Sequence, residues 1–426
     1  MAISGLIKKY IFSKSFYHHP GFWRYFKNAS WLFVGQFFSL AASFFIGAWV
    51  ARYLGPEEYG LVNYVLSFVG LFVIVTALGT DNILNRELVN HPEKRNELLG
   101  TCFRLRLLGG LIAFLSIIVA IFLFGEQNIV WRTLVILYSI SFFFQAPYVI
   151  SNYFFSTVQA KKNVQAQFYV TSVCSILKIL LILLGGNVYW LVGIYAIDCL
   201  CQSFFLLLLY RAQGLKVTDW CFQPKLAYKI WLDSWPLMLS SAAYFIYLRI
   251  DQVIIGRIMN ESSVGVYAAA VRIVEILYFI PTIICSSLFP AIINARRVSA
   301  ELFARRLKYF YLLLGFTGLI VAVVISLLAR PLVVGIFGSA YLSSVGILKI
   351  YAWSCVGLFL GLGINQQLTV ENKTKTIFYI NLATMVFNIG LNLFLIPVMG
   401  LSGAAVATLI SYCVIPVIFL LYLIKG

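Results

Sequence analysis

Charged residues are scarce in this sequence, and acidic residues are the scarcest. Only 11% of the 426 residues are charged, with 15 acids against 32 lysines and arginines, while 62% are hydrophobic. Soluble domains are about 25% charged and about 45–50% apolar, so a water-soluble fold is excluded. The mean hydropathy of +0.92 and the repeated long apolar runs predict a polytopic, all-α integral membrane protein.

Several chemical motifs are also missing. The three histidines fall in predicted loops, and Cys199 and Cys201 have CxC rather than CxxC spacing, so neither a metal site nor a disulfide framework is predicted. No GxxxxGK[ST] motif for ATP phosphates is present. The cytoplasmic loops lack a DxD-type motif, and the outer loops are too short for a catalytic domain. We therefore expect neither an enzyme nor a bound cofactor.

Twelve apolar segments are each long enough to cross a bilayer as a helix, which takes about 20 residues. They are predicted at residues 29–51, 59–79, 104–124, 130–155, 164–186, 188–210, 231–256, 264–292, 309–329, 345–367, 377–397 and 401–424.

The loops between these segments alternate in charge. Basic residues are concentrated in the N-terminal segment and in every second loop: Arg86, Lys94, Arg95, Arg104, Arg106, Lys161, Lys162, Arg211, Lys216, Lys225, Lys229, Arg296, Arg297, Arg305, Arg306, Lys308, Lys373, Lys375 and the terminal Lys425. The other loops hold only Arg52, Arg132, Arg257 and Arg330. Because basic loops stay in the cytoplasm, both termini are predicted to be cytoplasmic. The same bias explains the net charge of +17 without nucleic acid.

Residues 1–28 mix five basic residues with aromatic and aliphatic ones, which is typical of an amphipathic segment at the cytoplasmic interface. The apolar run that follows is too long for a cleaved signal.

The chain contains an internal repeat. Arg52 corresponds to Arg257 and Gly60 to Gly265 at one common offset, and Leu191-x-Gly193 corresponds to Leu401-x-Gly403 at a similar one. A repeat of six crossings gives both halves the same orientation, related by a pseudo-two-fold axis along the membrane normal. We predict an N-terminal bundle at 29–210, a cytoplasmic linker at 211–230 and a C-terminal bundle at 231–426.

Two arginines lie at membrane depth on either side of the hairpin centred near Asn260. Arg249 and Arg272 are almost equally far from it along the chain, so both lie roughly 10–12 Å below one membrane face. Intramembrane charges usually line a cavity or face a partner, and two guanidinium groups at one depth favour an anion-binding layer. The alternative is separate ion pairs, with Arg272 bonded to Glu275 at i,i+3.

Further polar residues lie inside the predicted crossings. Lys178 is about 12 Å deep and completes the candidate substrate-binding cations with Arg249 and Arg272. The candidate coupling or cavity acids are Asp198, Asp251 and Glu275. Gln252, Asn365 and Gln366 are candidates for a glycan path, although the last two also suit a cap of their helix at the interface.

Several motifs resemble those of one family. The segments Ala51-Arg-Tyr-Leu-Gly-Pro-Glu-Glu-Tyr-Gly60, Arg249-Ile-Asp-Gln252 and Gly265-Val-Tyr-Ala-Ala-Ala270 are similar to those of polysaccharide repeat-unit flippases. So are Phe279-Ile-Pro281 and Leu401-Ser-Gly-Ala-Ala-Val-Ala-Thr408. These flippases are the O-antigen and capsule exporters of the multidrug/oligosaccharidyl-lipid/polysaccharide (MOP) superfamily.

The resemblance implies two six-helix bundles of MATE-like form around a cationic cavity, in a bacterial inner membrane. The implied substrate is undecaprenyl-pyrophosphate bearing one oligosaccharide unit, and a polysaccharide polymerase and a chain-length regulator are the implied partners besides membrane lipid. An ion-coupled exporter of drugs or of another lipid-linked precursor is the alternative. With no ATP motif, we expect coupling to a proton or sodium gradient or to glycan consumption outside.

Overall fold

The computed structural model describes residues 20–124 and 128–425, and all regular elements in these two ranges are helical. The α-helices are α1 (Pro20–Ala77), α2 (Thr80–Asn90), α3 (Arg95–Phe124), α4 (Ile129–Ser139), α5 (Ser141–Phe144), α6 (Val149–Ser156), α7 (Ala160–Leu183), α8 (Val188–Arg211), α9 (Pro224–Ile258), α10 (Glu261–Glu275), α11 (Phe279–Val298), α12 (Ala300–Phe337), α13 (Ser344–Tyr351), α14 (Ser354–Val370), α15 (Thr374–Met399) and α16 (Leu401–Lys425). Short 3-10 turns lie at Pro92–Lys94, Ala146–Tyr148, Val217–Asp219, Ile276–Tyr278 and Ser339–Tyr341. Most of the predicted amphipathic segment, residues 1–19, lies outside the described residues.

The number of crossings depends on how α1 is counted. In the described residues, 11 helical stretches are long and apolar enough to cross a membrane, and the first runs from Val34 to Asn90. A straight helix of 58 residues would be about 87 Å long, far more than one bilayer. Gly55 breaks α1 with φ 73° and ψ 176°, a backbone conformation that favours glycine. Counting α1 as two crossings gives the twelve predicted from the sequence.

Three predicted crossings are interrupted rather than continuous. The fourth is divided among α4, α5 and α6, the eighth between α10 and α11, and the tenth between α13 and α14. Proline explains the first two, because its ring clashes with the carbonyl four residues earlier and it donates no backbone hydrogen bond. Pro147 lies inside the turn after α5, and Pro281 lies just after the turn at Ile276–Tyr278.

The two halves meet in a reciprocal contact between α1 and α10. A Cβ added at Gly60 would overlap the carbonyl oxygen of Glu261, and one added at Gly265 would overlap that of Pro56. Residues 56 and 261, and 60 and 265, are pairs related by the sequence repeat. The contact of Gly60 with Glu261 is thus the repeat-related copy of the contact of Gly265 with Pro56. Two copies of one contact, exchanged between the halves, are the signature of a two-fold axis. The pseudo-two-fold axis therefore passes between Gly60 and Gly265.

The turns predicted on the outer side lie together at this end of the molecule. Arg52 donates to the carbonyl oxygens of Val334 and Gly335, and Asn128 donates to Glu261 at 3.0 Å. The opposite end carries the basic loops. There the halves are joined by an ion pair between Arg86 and Asp233, at 3.1 Å, with both side chains largely exposed. Exposed pairs are weak, but the halves also meet closely near this end, because a Cβ added at Gly79 would lie 2.6 Å from the carbonyl oxygen of Ser234 on α9.

The segment between the halves packs on the N-terminal half. The backbone N–H of Cys221 donates to the carbonyl of Asn96, and that of Gln223 donates to Thr101 Oγ1. The next helix, α9, begins at Pro224, which lies inside the predicted linker 211–230. Proline suits this first helical position, because the N–H it lacks would have no intrahelical partner there.

Candidate functional site

Arg249 forms a cross-helix ion pair with Glu275. The distance from Arg249 Nη1 to Glu275 Oε1 is 3.1 Å, and Nη2 donates to the second carboxylate oxygen at 3.5 Å. The pair joins α9 to α10, which run antiparallel from the turn capped by Asn260. The pairing of Arg272 with Glu275 considered from the sequence is therefore wrong, because the antiparallel partner helix brings Arg249 to this carboxylate.

Arg272 instead reaches the other half of the molecule. Its Nη2 donates to Ser43 Oγ at 2.7 Å and to the Ser43 carbonyl at 3.4 Å, both on α1. None of the ion pairs found in the part of the chain that the structure describes includes Arg272. This guanidinium thus keeps its full positive charge at the contact between the halves, with most of its donors left for another acceptor.

Lys178 and Asp198 line a cavity of about 370 Å³, which we term the Lys178 cavity. Its other polar lining residues come from α1 and α7: Gln36, Ser39, Ser43, Gln167, Thr171 and Ser175. Lys178 Nζ lies 4.2 Å from the centre of the Tyr195 ring, a cation–π contact. Ser43 connects this cavity to Arg272, because it both lines the cavity and accepts the Arg272 hydrogen bond.

The predicted charged residues converge around two tyrosines. Tyr59 lies within electrostatic range of Arg272, Tyr195 and Glu275. Tyr138 lies within electrostatic range of Tyr195, Asp198 and Arg249. The structure therefore brings together five predicted site residues from both halves: Lys178, Asp198, Arg249, Arg272 and Glu275. Asp251 also lies within electrostatic range of Arg249 and Glu275, so three cations face three acids, and Arg272 is the cation among them that makes no ion pair with a described residue.

A second and larger cavity, of about 580 Å³, has Arg249 on its wall, and we term it the Arg249 cavity. Arg249 and Phe245 come from α9, and the remaining lining residues come from the N-terminal half. This cavity therefore lies between the halves, where ligand sites are common. It reaches the surface at Asp81, whose side chain is 53% exposed.

Sequence reasoning missed a polar cluster in the Arg249 cavity. Arg106 was assigned to a cytoplasmic loop, yet it lies in α3, is 4% exposed, and forms an ion pair with Asp81. Asn152 accepts from Arg106 at 3.3 Å and donates to Asp81 at 3.1 Å. The sequence did contain a signal for this inward orientation. Arg104 and Arg106 follow apolar residues, and they are about 200° apart on a helix, so they point in nearly opposite directions. One of the two had to face inward.

Asp251 and Gln252 lie in a buried helix contact rather than on a cavity wall. They are 3% and 2% exposed. Tyr267 donates to Asp251 Oδ2 at 2.6 Å, and Ser67 donates to Gln252 Oε1 at 2.9 Å. Neither residue lines the Lys178 cavity or the Arg249 cavity. Their polar groups are satisfied within the protein, as buried polar groups generally are.

Asn365 and Gln366 lie in α14, away from both cavities. The Asn365 carbonyl accepts from Thr369 Oγ1 at 2.7 Å, and its side-chain Oδ1 is buried without a hydrogen-bond partner. The next residue, Gln367, accepts from Tyr311 and donates to Glu371, each at 2.6 Å. This region is a polar contact near the end of α14, so the glycan-path role of Asn365 and Gln366 stays a prediction.

The described residues contain no group of three or more His, Cys, Asp or Glu side chains placed to hold a metal ion. The eight cysteines are all free thiols.

Two family models match the sequence. The model described as "Polysaccharide biosynthesis protein" matches residues 25–296, and the MatE model matches residues 236–394. The first match covers more than half of the chain.

Two proteins of the archaeon Haloferax volcanii are similar to part of the chain. The probable flippase AglR is 29% identical over 192 residues, which is 42% of this chain and 37% of that protein. The probable low-salt glycan biosynthesis flippase Agl15 is 26% identical over 193 residues, which is 44% of this chain and 40% of that protein. The chain thus matches less than half the length of either relative.

Solved transporters share the fold along most of the chain. An inward-facing multidrug resistance MATE family transporter of the MOP superfamily has a TM-score of 0.74 at 16% identity, covering 90% of this chain and 93% of its own. The lipid II flippase MurJ in an inward closed conformation has a TM-score of 0.68 at 18% identity, covering 92% and 87%. The predicted MATE-like, multi-pass membrane fold is confirmed. These solved neighbours are transporters, and the Haloferax relatives are described as probable flippases.

Proposed function

Since the chain belongs to the polysaccharide biosynthesis protein family, we propose that it is a flippase for lipid-linked oligosaccharides. The substrate is undecaprenyl-pyrophosphate carrying one O-antigen or capsule repeat unit, moved from the cytoplasmic to the outer leaflet of a bacterial inner membrane. Both termini lie in the cytoplasm. A polysaccharide polymerase and a chain-length regulator receive the product on the outer side.

The observation that carries this proposal is the charge arrangement between the halves. Arg272 makes no ion pair among the described residues, and Lys178 faces a cavity that reaches Arg272 through Ser43. Arginine binds phosphate in a bidentate manner and stays charged when buried. A pyrophosphate would therefore bridge Arg272 and Lys178, while its polyprenyl tail stays in the lipid.

Arg249 has a different part in the cycle because it is already bonded to Glu275. The pair is only partly buried, with the Arg249 side chain 37% and the Glu275 side chain 18% exposed, so the Glu275 carboxylate competes directly with a phosphate for this guanidinium group. Arg249 thus joins the substrate only when a phosphate oxygen replaces the Glu275 carboxylate. That exchange links substrate binding to a rearrangement between α9 and α10, the kind of differential contact that alternating access requires.

Energy coupling is assigned to the acids at membrane depth. Asp251 and Glu275 are held by Tyr267 and Arg249 respectively. Asp198 lines the same cavity as Lys178. We therefore favour Asp198 as the residue that binds a proton or a sodium ion. Its neutralisation by the ion changes the balance of charge around Lys178 and resets the empty transporter.

Flipping can be measured with the purified full-length protein in proteoliposomes. The probe is undecaprenyl-pyrophosphate linked to a fluorescent oligosaccharide, and an impermeant lectin detects the outer-leaflet fraction. We expect this fraction to rise above that of protein-free vesicles, and a proton or sodium gradient to stimulate it in the wild type but not in Asp198→Asn. A protein that leaves this lipid in place but moves a cationic dye would overturn the proposal in favour of a multidrug exporter.

A further inference from the structure

The Arg249 cavity contains polar groups that the pyrophosphate does not use. At its mouth lies the cluster of Arg106, Asp81, Asn152, Asn85 and Gln145. We propose that this cluster is a carbohydrate subsite, which holds the first sugar or sugars next to the pyrophosphate. The inference rests on the proposed function and adds to it the part of the protein that recognises the glycan.

Two buried atoms in the cluster have no hydrogen-bond partner among the residues that the structure describes. Arg106 is 4% exposed, and its Nε–H donates to nothing, although its Nη2 bonds to Asp81 and Asn152. Asn85 Oδ1 is also buried without a partner. Leaving a buried polar group unsatisfied costs about 1–3 kcal/mol. Arg106 and Asn85 both line the cavity, and a hydroxyl group can supply either the missing acceptor or the missing donor, because it both donates and accepts.

The charge of the cluster favours a neutral ligand. Arg106 and Asp81 neutralise each other, so the cluster offers no net charge to attract a phosphate. A metal ion is also disfavoured, because the Asp81 oxygen Oδ1 already accepts from Arg106 and Asn152. Sugar hydroxyls match this set of groups, since they bond equally well to amides, carboxylates and guanidinium groups without needing a net charge.

The remaining walls of the cavity suit a pyranose ring. Tyr148, Phe155 and Phe245 line it together with the polar cluster. Aromatic rings beside a few well-placed polar groups are the usual make-up of a small-molecule site, and the volume of about 580 Å³ lies within the usual range of such sites. Arg249 lies on the same cavity wall, which places the sugar subsite next to the arginine that can take a phosphate oxygen once it is released from Glu275.

The test separates sugar from phosphate recognition. The probes are a short-chain polyprenyl pyrophosphate carrying one N-acetylhexosamine and the same lipid without the sugar, titrated against detergent-purified full-length protein. Asn85→Leu removes the free acceptor, and Arg106→Lys keeps a cation for Asp81 but removes the Nε donor. We expect each variant to bind the sugar-bearing lipid about tenfold more weakly and the bare lipid as the wild type does.

Asn90→Leu is the matched control, because Asn90 is exposed on the same helix α2 and does not line the cavity. It should bind both lipids normally. Equal weakening of both lipids by Asn85→Leu and Arg106→Lys, or no weakening of either, would overturn the sugar subsite. Failure of the wild type to bind either lipid would instead overturn the proposed function, so the two failures are distinguishable.

Discussion

At the scale of single residues, Arg272 and Arg249 differ although the sequence places them at one depth. Arg249 is neutralised by Glu275, whereas Arg272 donates to Ser43 across the contact between the halves and makes no ion pair within residues 20–124 and 128–425. The residue whose charge is available to an anion is therefore Arg272. Position along a hairpin does not reveal this, because the pairing depends on which face of each helix meets its neighbour.

Replacing Arg272 with alanine should abolish most transport. The change removes a charge-assisted contact to phosphate, worth about 1.5–3 kcal/mol, so export should fall by roughly tenfold or more. Arg272→Lys should retain part of the activity, because an ammonium keeps the charge but lacks the planar fork. Surface polysaccharide at native expression measures the effect, with membrane protein amount measured in parallel.

Arg330→Ala provides the comparison for Arg272. Arg330 is exposed near the end of α12 and lines neither cavity, so its loss should leave export unchanged. Normal export by Arg272→Ala would remove this residue from the anion site.

The charged residues that could be predicted from the sequence are those that interrupt a long apolar segment. Lys178, Asp198, Arg249, Arg272 and Glu275 interrupt long apolar runs, and the structure brings them together. Arg106 was not predicted as a site residue because it lies close to a run of loop charges. Its inward orientation depends on how the helix is rotated about its axis. Asp81 and Asn152 could not be joined to it, since their contact forms only when α2, α3 and α6 pack.

At the scale of helices, the contact between α1 and α10 closes one end of the molecule. The glycines at 60 and 265 allow the two backbones to touch, and no side chain could be added without moving a helix. The sequence marked both glycines as repeat partners, but only the structure shows that the partners meet each other. A sequence repeat shows which residues occupy equivalent positions in the two halves. Equivalent residues contact each other only when they lie close to the symmetry axis.

Gly60→Ala and Gly265→Ala should each force this end open. Overpacking costs about 1–3 kcal/mol, which shifts a two-state equilibrium by about fivefold to about 150-fold. Spin labels at Ile129 and Met259, one in each half, should report a longer distance in either variant, and transport should fall because the closed state is disfavoured. Labels in a background without native cysteines and pulsed electron paramagnetic resonance make the measurement.

Gly193→Ala serves as the control for the two interface glycines. Gly193 lies in α8 with nothing within 4 Å of an added Cβ, so the distance and transport should match the wild type. An unchanged distance in Gly60→Ala would show that the helices adjust without opening.

At the scale of the whole molecule, the alternation of loop charge and the geometry agree. The turns poor in basic residues lie at the end closed by Gly60 and Gly265, and the basic loops lie at the other end. Composition and hydropathy were enough for this, because a bilayer admits only helices or closed barrels and fixes their length. The shape of the cavities could not be predicted from the sequence, since it depends on the crossing angles between helices and on helix breaks such as those near Pro147 and Pro281.

The assignment of the two ends to the two sides of the membrane is a prediction that labelling can check. Asn187 and Asn260 precede crossings that run from the proposed outer side inward, and Thr218 and Ser299 follow those crossings. All four residues are exposed, so access depends on sidedness rather than on burial. Single cysteines at Asn187 and Asn260 should react with an impermeant maleimide added to intact cells, whereas those at Thr218 and Ser299 should react only after lysis. Because the two pairs come from different halves, the same result in both also tests their common orientation. Opposite results for the two pairs would require an inverted repeat and would overturn the predicted axis along the membrane normal.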